Sequence, residues 1–298
     1  MNLTVWLDGE LACSARPQVS LLDQALHYGS GVFEGIRIYD TAHGPAVFRL
    51  AEHMQRLKRG AACFGFELDL DAMSDAIGTL LRCNRLGASY ARPIAWLGGG
   101  GLGLDVGRMQ LRQAVAVLPW TSHLGEDACD QGVQMMTTSL VRNSARSMPP
   151  LKLCGGYVNS LLAKLEATRA GFDEALFCDG DHVCEASAEN VFFVKDGRFV
   201  AVDHPDMLRG ITRDTLIAIT GADSRAVRYE ELLDADEIFL CGTSAEVAGV
   251  TRLDERRLPI GPYTRELART YQDVVHGRDA TYADWLTHTT DAPRARVA

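Results

Sequence analysis

The spacing of apolar residues divides the first 118 residues into strands and two longer helices. Apolar positions alternate from Val32 to Tyr39, which predicts a strand, and Leu50 to Ala61 recur at helical spacing. On the polar side of that helix, Glu52 and Arg56 stand four residues apart and are predicted to pair. The other predicted elements are a hairpin from Val5 to Leu7 through the turn Asp8-Gly9-Glu10, a strand Ala46–Phe48, a helix from Leu70 to Arg85 capped by Asp69 or Asp71 and stopped by Gly87, and strands Tyr90–Leu97 and Leu111–Leu118.

The second half of the chain is richer in strands. Its predicted strands are Val133–Leu140, Glu174–Cys178, Val183–Ala186, Val191–Val194, Phe199–Val202 and Glu237–Leu240, and its predicted helices are Tyr157–Arg169, Ile211–Thr220 and Tyr263–His276. The first of these helices carries the apolar set Tyr157, Leu161, Leu162 and Leu165. Small, polar and turn residues at 119–129 predict a linker. The pattern therefore predicts an α+β chain with domains at 1–118 and 130–298.

Composition narrows the class of protein. The 298 residues are 47% hydrophobic and carry a formal net charge of −9, which argues against non-specific nucleic-acid binding. The N-terminus is not typical of a signal or transit peptide, and no apolar run is long enough to span a membrane. The eight cysteines are scattered without metal-type spacing, so we expect buried free thiols, a cytoplasmic location and no metal site.

A glycine-rich loop satisfies one well-known motif. Gly98, Gly100 and Gly103 match G-x-G-x-x-G, which is typical of dinucleotide binding when a helix follows. Here a loop and another strand follow, so the βαβ unit is missing and a loop that lines a pocket is the better interpretation.

One lysine and one acid suggest chemistry. Lys152 lies in P-L-K-L-C-G-G-Y, and Glu185 follows a predicted helix in C-E-A-S-A-E-N. A pyridoxal 5'-phosphate (PLP) enzyme needs an amine for a Schiff base and an acid that keeps the ring nitrogen protonated. Its phosphate could be held by the helix start at Gly210, by the turn from Gly242, or by Arg56. Taken alone, each residue also has an ordinary structural explanation, and the pattern by itself indicates only an α+β enzyme with an anion site.

A family resemblance supports the chemical interpretation. The segments Y-G-S-G-V-F-E-G-I-R, F-R-L-A-E-H-M-Q-R-L, A-R-P, L-P-W, K-x-x-G-G-Y-x-N-S, E-A-S-A-E-N-V-F, L-R-G-I-T-R-D and C-G-T-S-A-E occur in this order. Together they resemble the branched-chain amino acid aminotransferases, which are class IV, fold-type IV PLP enzymes, over roughly residues 5 to 275. The resemblance implies a small N-terminal α/β domain and a larger C-terminal domain like a β-barrel.

The resemblance also implies residue roles. Lys152 is implied as the Schiff-base lysine and proton shuttle, Glu185 as the partner of the pyridine nitrogen, and Tyr157 as the phenol near O3′. The other implied cofactor residues are Arg56, Gly210, Ile211, Thr212, Gly242 and Thr243, with Glu189 and Asn190 in a motif of less certain role. The implied substrate residues are Tyr28, Phe33, Gly35, Tyr90, Arg92, Trp120, Thr243, Ser244 and Ala245.

The implied reaction moves an amino group between a branched-chain or similar hydrophobic L-amino acid and 2-oxoglutarate. The family implies a homodimer with the Gly98–Gly103 loop near the partner's site. Four departures concern the substrate: His123 replaces an expected tyrosine, Ser244 replaces an alanine, the usual proline after this turn is missing from G-T-S-A-E-V-A-G, and A-V-D-H-P-D-M (201–207) is unusual. Transaminases of D-amino acids, amines or a specialised amino acid, and PLP lyases, remain alternatives.

Overall fold

Two units make up the computed structural model, which describes residues 3–15, 19–99, 101, 103–119 and 131–289. The described residues of 1–120, 151–155 and 274–298 form unit 1, and those of 121–150 and 156–273 form unit 2. Within the described part, no helix is both long and apolar enough to cross a membrane. The mixture of helices and two large sheets confirms the α+β class.

Unit 1 is built on an eight-stranded antiparallel sheet. Its strands are β1 (Thr4–Leu7), β2 (Glu10–Cys13), β3 (Gly31–Phe33), β4 (Ile36–Thr41), β5 (Gly44–Phe48), β6 (Ser89–Gly98), β7 (Gln110–Leu118) and, from the C-terminal region, β17 (Leu286–His288). The order is β17-β5-β4-β6-β7-β1-β2, and β3 pairs with β6. The helices of this unit are α1 (Gln24–Tyr28), α2 (Leu50–Ala62) and α3 (Leu70–Asn84).

The strand predicted from Val32 to Tyr39 is interrupted. Both β3 and β4 pair with β6 in one continuous register, with Phe33 opposite Ile94 and Ile36 opposite Ala91. The ladder breaks between them, at residues 34–35, opposite a stretch that includes Pro93. Proline has no N–H to donate, so a regular ladder cannot continue there. This interruption places Glu34 and Gly35 in the site described below.

The two longer helices of unit 1 follow the predicted pattern with two corrections. The Asp69 side chain accepts a hydrogen bond from the Ala72 N–H at 2.9 Å, as expected of a cap. However, α3 ends at Asn84, and its C-cap Arg85 adopts the left-handed conformation (φ 53°), two residues before Gly87. The predicted pairing of Glu52 with Arg56 is wrong, because Glu52 binds Arg49 at 2.5 Å and Arg56 turns to the buried side of α2.

The glycine-rich loop is not part of a nucleotide-binding unit. The flanking strands β6 and β7 are antiparallel neighbours, with Leu97 opposite Leu111, and only a short 3-10 turn, Val106–Arg108, is described between them. A βαβ unit would require parallel strands joined by a helix. The topology confirms that the G-x-G-x-x-G match is fortuitous.

Unit 2 contains a nine-stranded mixed sheet. Its strands are β8 (Val133–Thr137), β9 (Glu174–Asp179), β10 (His182–Ala186), β11 (Asn190–Lys195), β12 (Arg198–Val202), β13 (Asp223–Arg225), β14 (Glu237–Gly242), β15 (Glu246–Leu253) and β16 (Arg256–Arg257). The order is β10-β9-β8-β15-β14-β11-β12-β13, and β16 pairs with β15. Its helices are α4 (Tyr157–Arg169), α5 (Ile211–Thr220), α6 (Tyr229–Leu233) and α7 (Pro262–Val275). The core is largely aliphatic, with the stacked rings of Phe192 and Phe239 beside it.

The helix α4 has the predicted bounds but buries a different face. Leu161, Leu162 and Leu165 are exposed by 67%, 52% and 43%, whereas Ser160, Ala163 and Ala167 are buried. Small residues let the helix approach the sheet closely, and the larger apolar residues remain outside. The apolar set of this helix therefore does not face the core of its own chain.

The C-terminal residues return to unit 1. After α7, a 3-10 segment (Ala280–Trp285) leads into β17, where Thr287 pairs with Val47 of β5. The sequence-based division places these residues in the C-terminal domain, because 274–289 lacks a clear periodicity. Of the predicted linker 119–129, only Pro119 is described, so Trp120 and His123 lie outside the described residues.

The cysteines differ in part from expectation. All seven described cysteines are free, but Cys13, Cys63 and Cys83 are exposed rather than buried. Burial raises the pKa of Cys184 well above its usual range, and burial also raises the pKa of Cys154. These two thiols beside Lys152 and Glu185 in the sequence are therefore poor nucleophiles. The cytoplasmic location stays a prediction.

Candidate active site

The backbone of Lys152 is held against β3. The Phe33 N–H donates to the Lys152 carbonyl at 3.2 Å, and Val32 forms an isolated antiparallel bridge with Leu153. The Gly155 N–H donates to the Gly29 carbonyl at 3.0 Å. A Cβ on Gly29 would lie 2.5 Å from the Gly155 Cα, so glycine is needed for this close approach. The sheet of unit 1 thus determines the position of the lysine.

Two cations share one aromatic ring beside this backbone. The Lys152 Nζ lies 5.0 Å from the ring centroid of Phe33, and the Arg92 Cζ lies 4.7 Å from the same centroid. Both distances allow a cation–π attraction. Arg92 also donates from Nη2 to the Tyr90 hydroxyl at 3.2 Å. The structure therefore brings together four residues predicted from the sequence as site residues.

Gly35 gives the Tyr90 hydroxyl its position. A Cβ added to Gly35 would lie 1.7 Å from the Tyr90 hydroxyl oxygen and 2.5 Å from its Cζ. No larger residue fits, because real Cβ atoms do not approach other heavy atoms so closely. Gly35 thus joins the same cluster. The remaining predicted substrate residue of unit 1, Tyr28, is 51% exposed, and its ring neighbours His27.

A buried ionic group that the sequence reasoning missed lies on the other side of β3. Glu34 is fully buried and accepts hydrogen bonds from Arg56 Nε at 2.6 Å, from Arg56 Nη2 at 2.9 Å and from His53 Nδ1 at 2.8 Å. Burial alone would raise the pKa of Glu34, but Arg56 and His53 outweigh it and hold that pKa far below its usual range. The signal was present in the sequence as a single acid inside the apolar run V-F-E-G-I.

The neighbouring histidine is neutral. Burial lowers the pKa of His53, and the charges of Arg56 and Lys152 lower it further, against the opposite effect of Glu34. An ionised carboxylate can only accept hydrogen bonds, so the His53 Nδ1 carries the proton and its Nε2 is the acceptor nitrogen. This tautomer follows from the hydrogen-bond network.

In unit 2, Glu185 is held by several donors. Arg142 Nε donates to its Oε1 at 2.7 Å, the Leu208 N–H donates to its Oε2 at 3.0 Å, and the Asn190 amide lies 3.4 Å from the same oxygen. The side chains of Arg142 and Glu185 are only 13% and 5% exposed. Glu185 is therefore an anchored buried acid. Arg142 was missed because it stands 43 residues away in the sequence, without a local motif.

Arg142 in turn is connected to the start of α4. Its Nη1 donates to the side-chain oxygen (Oδ1) of Asn159 and to the Ser160 hydroxyl, each at 3.2 Å. The Asn143 amide donates to the Gly156 carbonyl at 3.1 Å, one residue before Tyr157. These bonds link the predicted residue Tyr157, on the first turn of α4, to the loop that holds Glu185.

The predicted anion donors of unit 2 form two groups. Gly210 is the N-cap of α5, and the N–H groups of Ile211 and Thr212 have no acceptor within that helix, as in any first helical turn. A Cβ on Gly210 would lie 2.1 Å from the Asn190 Oδ1, so this position also requires glycine. Asn190 links this helix start to Glu185, because it donates to the Leu208 carbonyl at 2.9 Å.

The second group is the turn between β14 and β15, residues 243–245. A Cβ on Gly242 would lie 3.6 Å from the Cγ of Glu189, which is a buried residue.

Another buried acid of unit 2, Glu174, lies near Glu189. Burial raises the pKa of Glu174, and the nearby charge of Glu189 raises that pKa further. Lys164 binds Glu174 at 2.9 Å and opposes this effect.

One further cluster lies in the segment that the sequence marks as unusual. Asp179, His204 and Asp206 bring ligand-type atoms within 4.8 Å of one another. Two of the three are already bonded within the loop: the Asp206 N–H donates to His204 Nδ1 at 3.2 Å, and Asp206 accepts from the Ala145 N–H at 2.6 Å. These bonds help to fix the loop that leads to Leu208.

Comparisons with known proteins show what the chain is similar to. The family model described as amino-transferase class IV matches residues 31–253. The branched-chain-amino-acid aminotransferase of Pseudomonas aeruginosa is 35% identical over 295 residues, which are 95% of this chain and 96% of that protein.

Solved structures are similar over almost the whole chain. A T.th. branched-chain amino acid aminotransferase with pyridoxamine 5'-phosphate has a TM-score of 0.92 and 39% identity, and the match covers 97% of this chain and 99% of that one. The same enzyme complexed with N-(5'-phosphopyridoxyl)-L-glutamate has a TM-score of 0.91 and 38% identity over the same shares.

Proposed function

The chain belongs to the class IV aminotransferase family, and from this premise we propose that it is a PLP-dependent aminotransferase. It moves an amino group between a branched-chain or similar hydrophobic L-amino acid and 2-oxoglutarate. The relatives described above are branched-chain aminotransferases, which supports the hydrophobic substrate. The relative complexed with N-(5'-phosphopyridoxyl)-L-glutamate supports the glutamate half of the reaction.

The residues present fit PLP. Unit 1 offers a half-buried primary amine, Lys152, above an aromatic ring. Unit 2 offers a buried carboxylate, Glu185, anchored by Arg142, and a helix start at Gly210 that is suited to a phosphate. An amine, an acid and an anion site are the three groups that an aldehyde, a ring nitrogen and a phosphate require.

When bound, PLP supplies an electron sink for the bond to the substrate Cα. In the proposal, the Lys152 amine would hold the cofactor covalently. Once the substrate amine has replaced it there, the freed Lys152 amine would carry the proton from the substrate Cα. Glu185 holds a proton on the ring nitrogen, and Arg142 keeps that acid in place. The first turn of α5 binds the phosphate through the N–H groups of Ile211 and Thr212.

One observation carries the choice of substrates: the Phe33 ring lies next to both Lys152 and Arg92. An aminotransferase of this kind must accept an apolar side chain and the acidic side chain of glutamate in one pocket. Phe33 offers the apolar surface, and Arg92 offers a guanidinium for the second carboxylate. The Tyr90 hydroxyl and the turn 243–245 are the proposed partners of the α-carboxylate.

The test compares the two half-reactions. Arg92→Gln should lower kcat/KM for 2-oxoglutarate by about ten- to hundredfold, the value of one charged hydrogen bond, and change that for L-leucine by less than about threefold. Equal losses for both substrates would contradict the role of Arg92.

Lys152→Ala should abolish turnover while the melting temperature is retained.

A substrate panel separates the alternatives. Purified protein is assayed with L-leucine, L-isoleucine, L-valine, their D-enantiomers and simple amines, with 2-oxoglutarate or pyruvate as acceptor. Turnover confined to D-amino acids or amines would replace the proposed substrate class. Release of ammonia without an acceptor would indicate a lyase.

We also propose that the protein is a homodimer in which α4 contributes to the interface. Val158, Leu161, Leu162 and Leu165 form an exposed apolar stripe at helical spacing. A continuous exposed stripe of this kind is typical of an interaction surface. The family resemblance implies a homodimer, and we therefore propose that a second copy of the chain covers the stripe.

The assembly is tested by light scattering. Leu161→Asp on the stripe should yield a monomer, whereas Leu233→Asp, which changes an exposed leucine at the end of α6, should leave the dimer intact. A monomeric wild-type protein, or a dimeric Leu161→Asp variant, would refute the proposed interface.

A further inference from the structure

Glu34 belongs to a buried ionic group that has no role in the proposed reaction. It is fully buried, and both of its oxygens are occupied by Arg56 and His53. The Arg56 contact is bidentate, since Nε binds one oxygen and Nη2 binds the other. Two parallel bonds of this kind fix the plane of a guanidinium as well as its distance.

The three side chains come from two adjacent elements. His53 and Arg56 stand three residues apart on α2 and therefore lie on one face of that helix. Glu34 lies in the interruption between β3 and β4, where its N–H donates to the Pro93 carbonyl at 2.8 Å. The backbone of the acid is thus fixed by the sheet, and the orientation of Arg56 follows from the acid.

We propose that Glu34 is a positioning residue for the phosphate end of the cofactor and acts through Arg56. This inference rests on the proposed function and on the role in phosphate binding that the family resemblance implies for Arg56. With Nε and Nη2 held by Glu34, the direction of the Arg56 Nη1 is set by the pair rather than by the flexible side chain. The side-chain conformational entropy of Arg56 is therefore lost when the protein folds and not when the cofactor binds.

A simpler role for Glu34 would be to balance charge, and the two roles predict opposite results. The Glu34–Arg56 pair is neutral overall, so replacing the acid by an amide leaves one net positive charge beside the phosphate. If Glu34 only balanced charge, Glu34→Gln would bind PLP more tightly, and Glu34→Asp would behave like wild type. If it positions Arg56, both variants weaken PLP binding, because neither can make both charge-assisted bonds to the guanidinium in the present geometry.

The experiment compares PLP with pyridoxal, which lacks the phosphate. The full-length protein is freed of cofactor and titrated with each compound, and the cofactor absorbance gives the two Kd values. Glu34→Gln and Glu34→Asp should each raise the Kd for PLP about tenfold, equivalent to about 1.4 kcal/mol, and change the Kd for pyridoxal by less than about twofold. A general loss of structure would raise both values together.

Two controls make the result specific. Glu52→Gln breaks the partly exposed pair with Arg49 on the same helix and should leave both Kd values unchanged. In an Arg56→Ala background, Glu34→Gln should cause no further loss of PLP affinity, since its effect passes through the missing arginine. The double variant leaves neither charge of the pair buried, so it remains a usable test if Glu34→Gln alone folds poorly.

The outcomes separate this inference from the proposed function. If the wild-type protein binds no PLP, the proposed function fails. If the wild type binds PLP but the two Glu34 variants keep its ratio of PLP to pyridoxal affinity, or bind PLP more tightly, the positioning role is overturned and the function stands.

Discussion

Replacing Gly35 by alanine tests whether the site depends on the position of the Tyr90 hydroxyl. The added Cβ would lie 1.7 Å from that hydroxyl oxygen. A normal contact needs about 3.5 Å, so the hydroxyl must move by about 1.8 Å or the strand must shift. Either movement breaks the 3.2 Å hydrogen bond from Arg92.

The expected loss follows from the displacement of the Tyr90 hydroxyl, which is the proposed partner of the substrate α-carboxylate. A hydrogen bond to a charged group contributes about 1.5–3 kcal/mol, which corresponds to about a ten- to hundredfold decrease in kcat/KM. Overpacking of the buried site costs a further 1–3 kcal/mol or so of stability, which lowers the melting temperature by a few degrees. Steady-state kinetics with L-leucine and 2-oxoglutarate and thermal unfolding measure the two effects.

Controls distinguish the hydroxyl from other causes. Gly107→Ala, where the nearest atom to the new Cβ is a carboxylate oxygen of Asp105 at 3.3 Å, should leave both kinetics and melting temperature near wild type. In a Tyr90→Phe background, the further effect of Gly35→Ala on kcat/KM should be smaller than in the wild type. Wild-type kinetics and stability in Gly35→Ala would refute the reasoning.

Two other predictions concern unit 2. Arg142→Gln removes the charged partner of Glu185, so it should lower the free energy of unfolding by about 3–5 kcal/mol, the cost of breaking a buried ion pair, and it should also reduce kcat. Denaturant unfolding measures the first effect and single-turnover rates measure the second. An unchanged kcat would contradict the anchoring role of Arg142. Burial, with a hydrogen bond to Asp254, raises the pKa of Tyr229 to about 12. The unfolded chain ionises this tyrosine near pH 10, so the stability that it contributes is present below that pH and is lost as the pH rises to about 12. Tyr229→Phe should therefore show a shallower fall in melting temperature across that range, and an identical fall would exclude Tyr229 as the cause.

The site itself was only partly predictable from the sequence. Motifs indicated Phe33, Gly35, Tyr90, Arg92 and Lys152, and the structure brings these five together within unit 1. Their chemical roles stay predictions. Glu34, His53 and Arg142, which hold the site groups in place, were missed because their partners stand 19 to 43 residues away in the sequence.

The sequence by itself determined the local elements. The helix Ile211–Thr220 has the predicted bounds, because a glycine cap and apolar spacing act within a few residues. Between the predicted strands Val191–Val194 and Phe199–Val202, the residues Lys195-Asp196-Gly197-Arg198 form a tight hairpin turn, with Asp196 and Gly197 at φ values of 49° and 72°.

The tertiary structure decided which charges pair and which apolar faces are covered. Arg56 pairs with Glu34, 22 residues away, instead of with its helical neighbour. The pairing follows from the approach of α2 to β3, because a fully buried carboxylate is stable only beside a cation. Likewise, Leu161 is apolar at a helical spacing, yet small residues of α4 take the buried face. Periodicity shows that a helix has an apolar face, but only packing decides whether that face meets its own sheet or another surface.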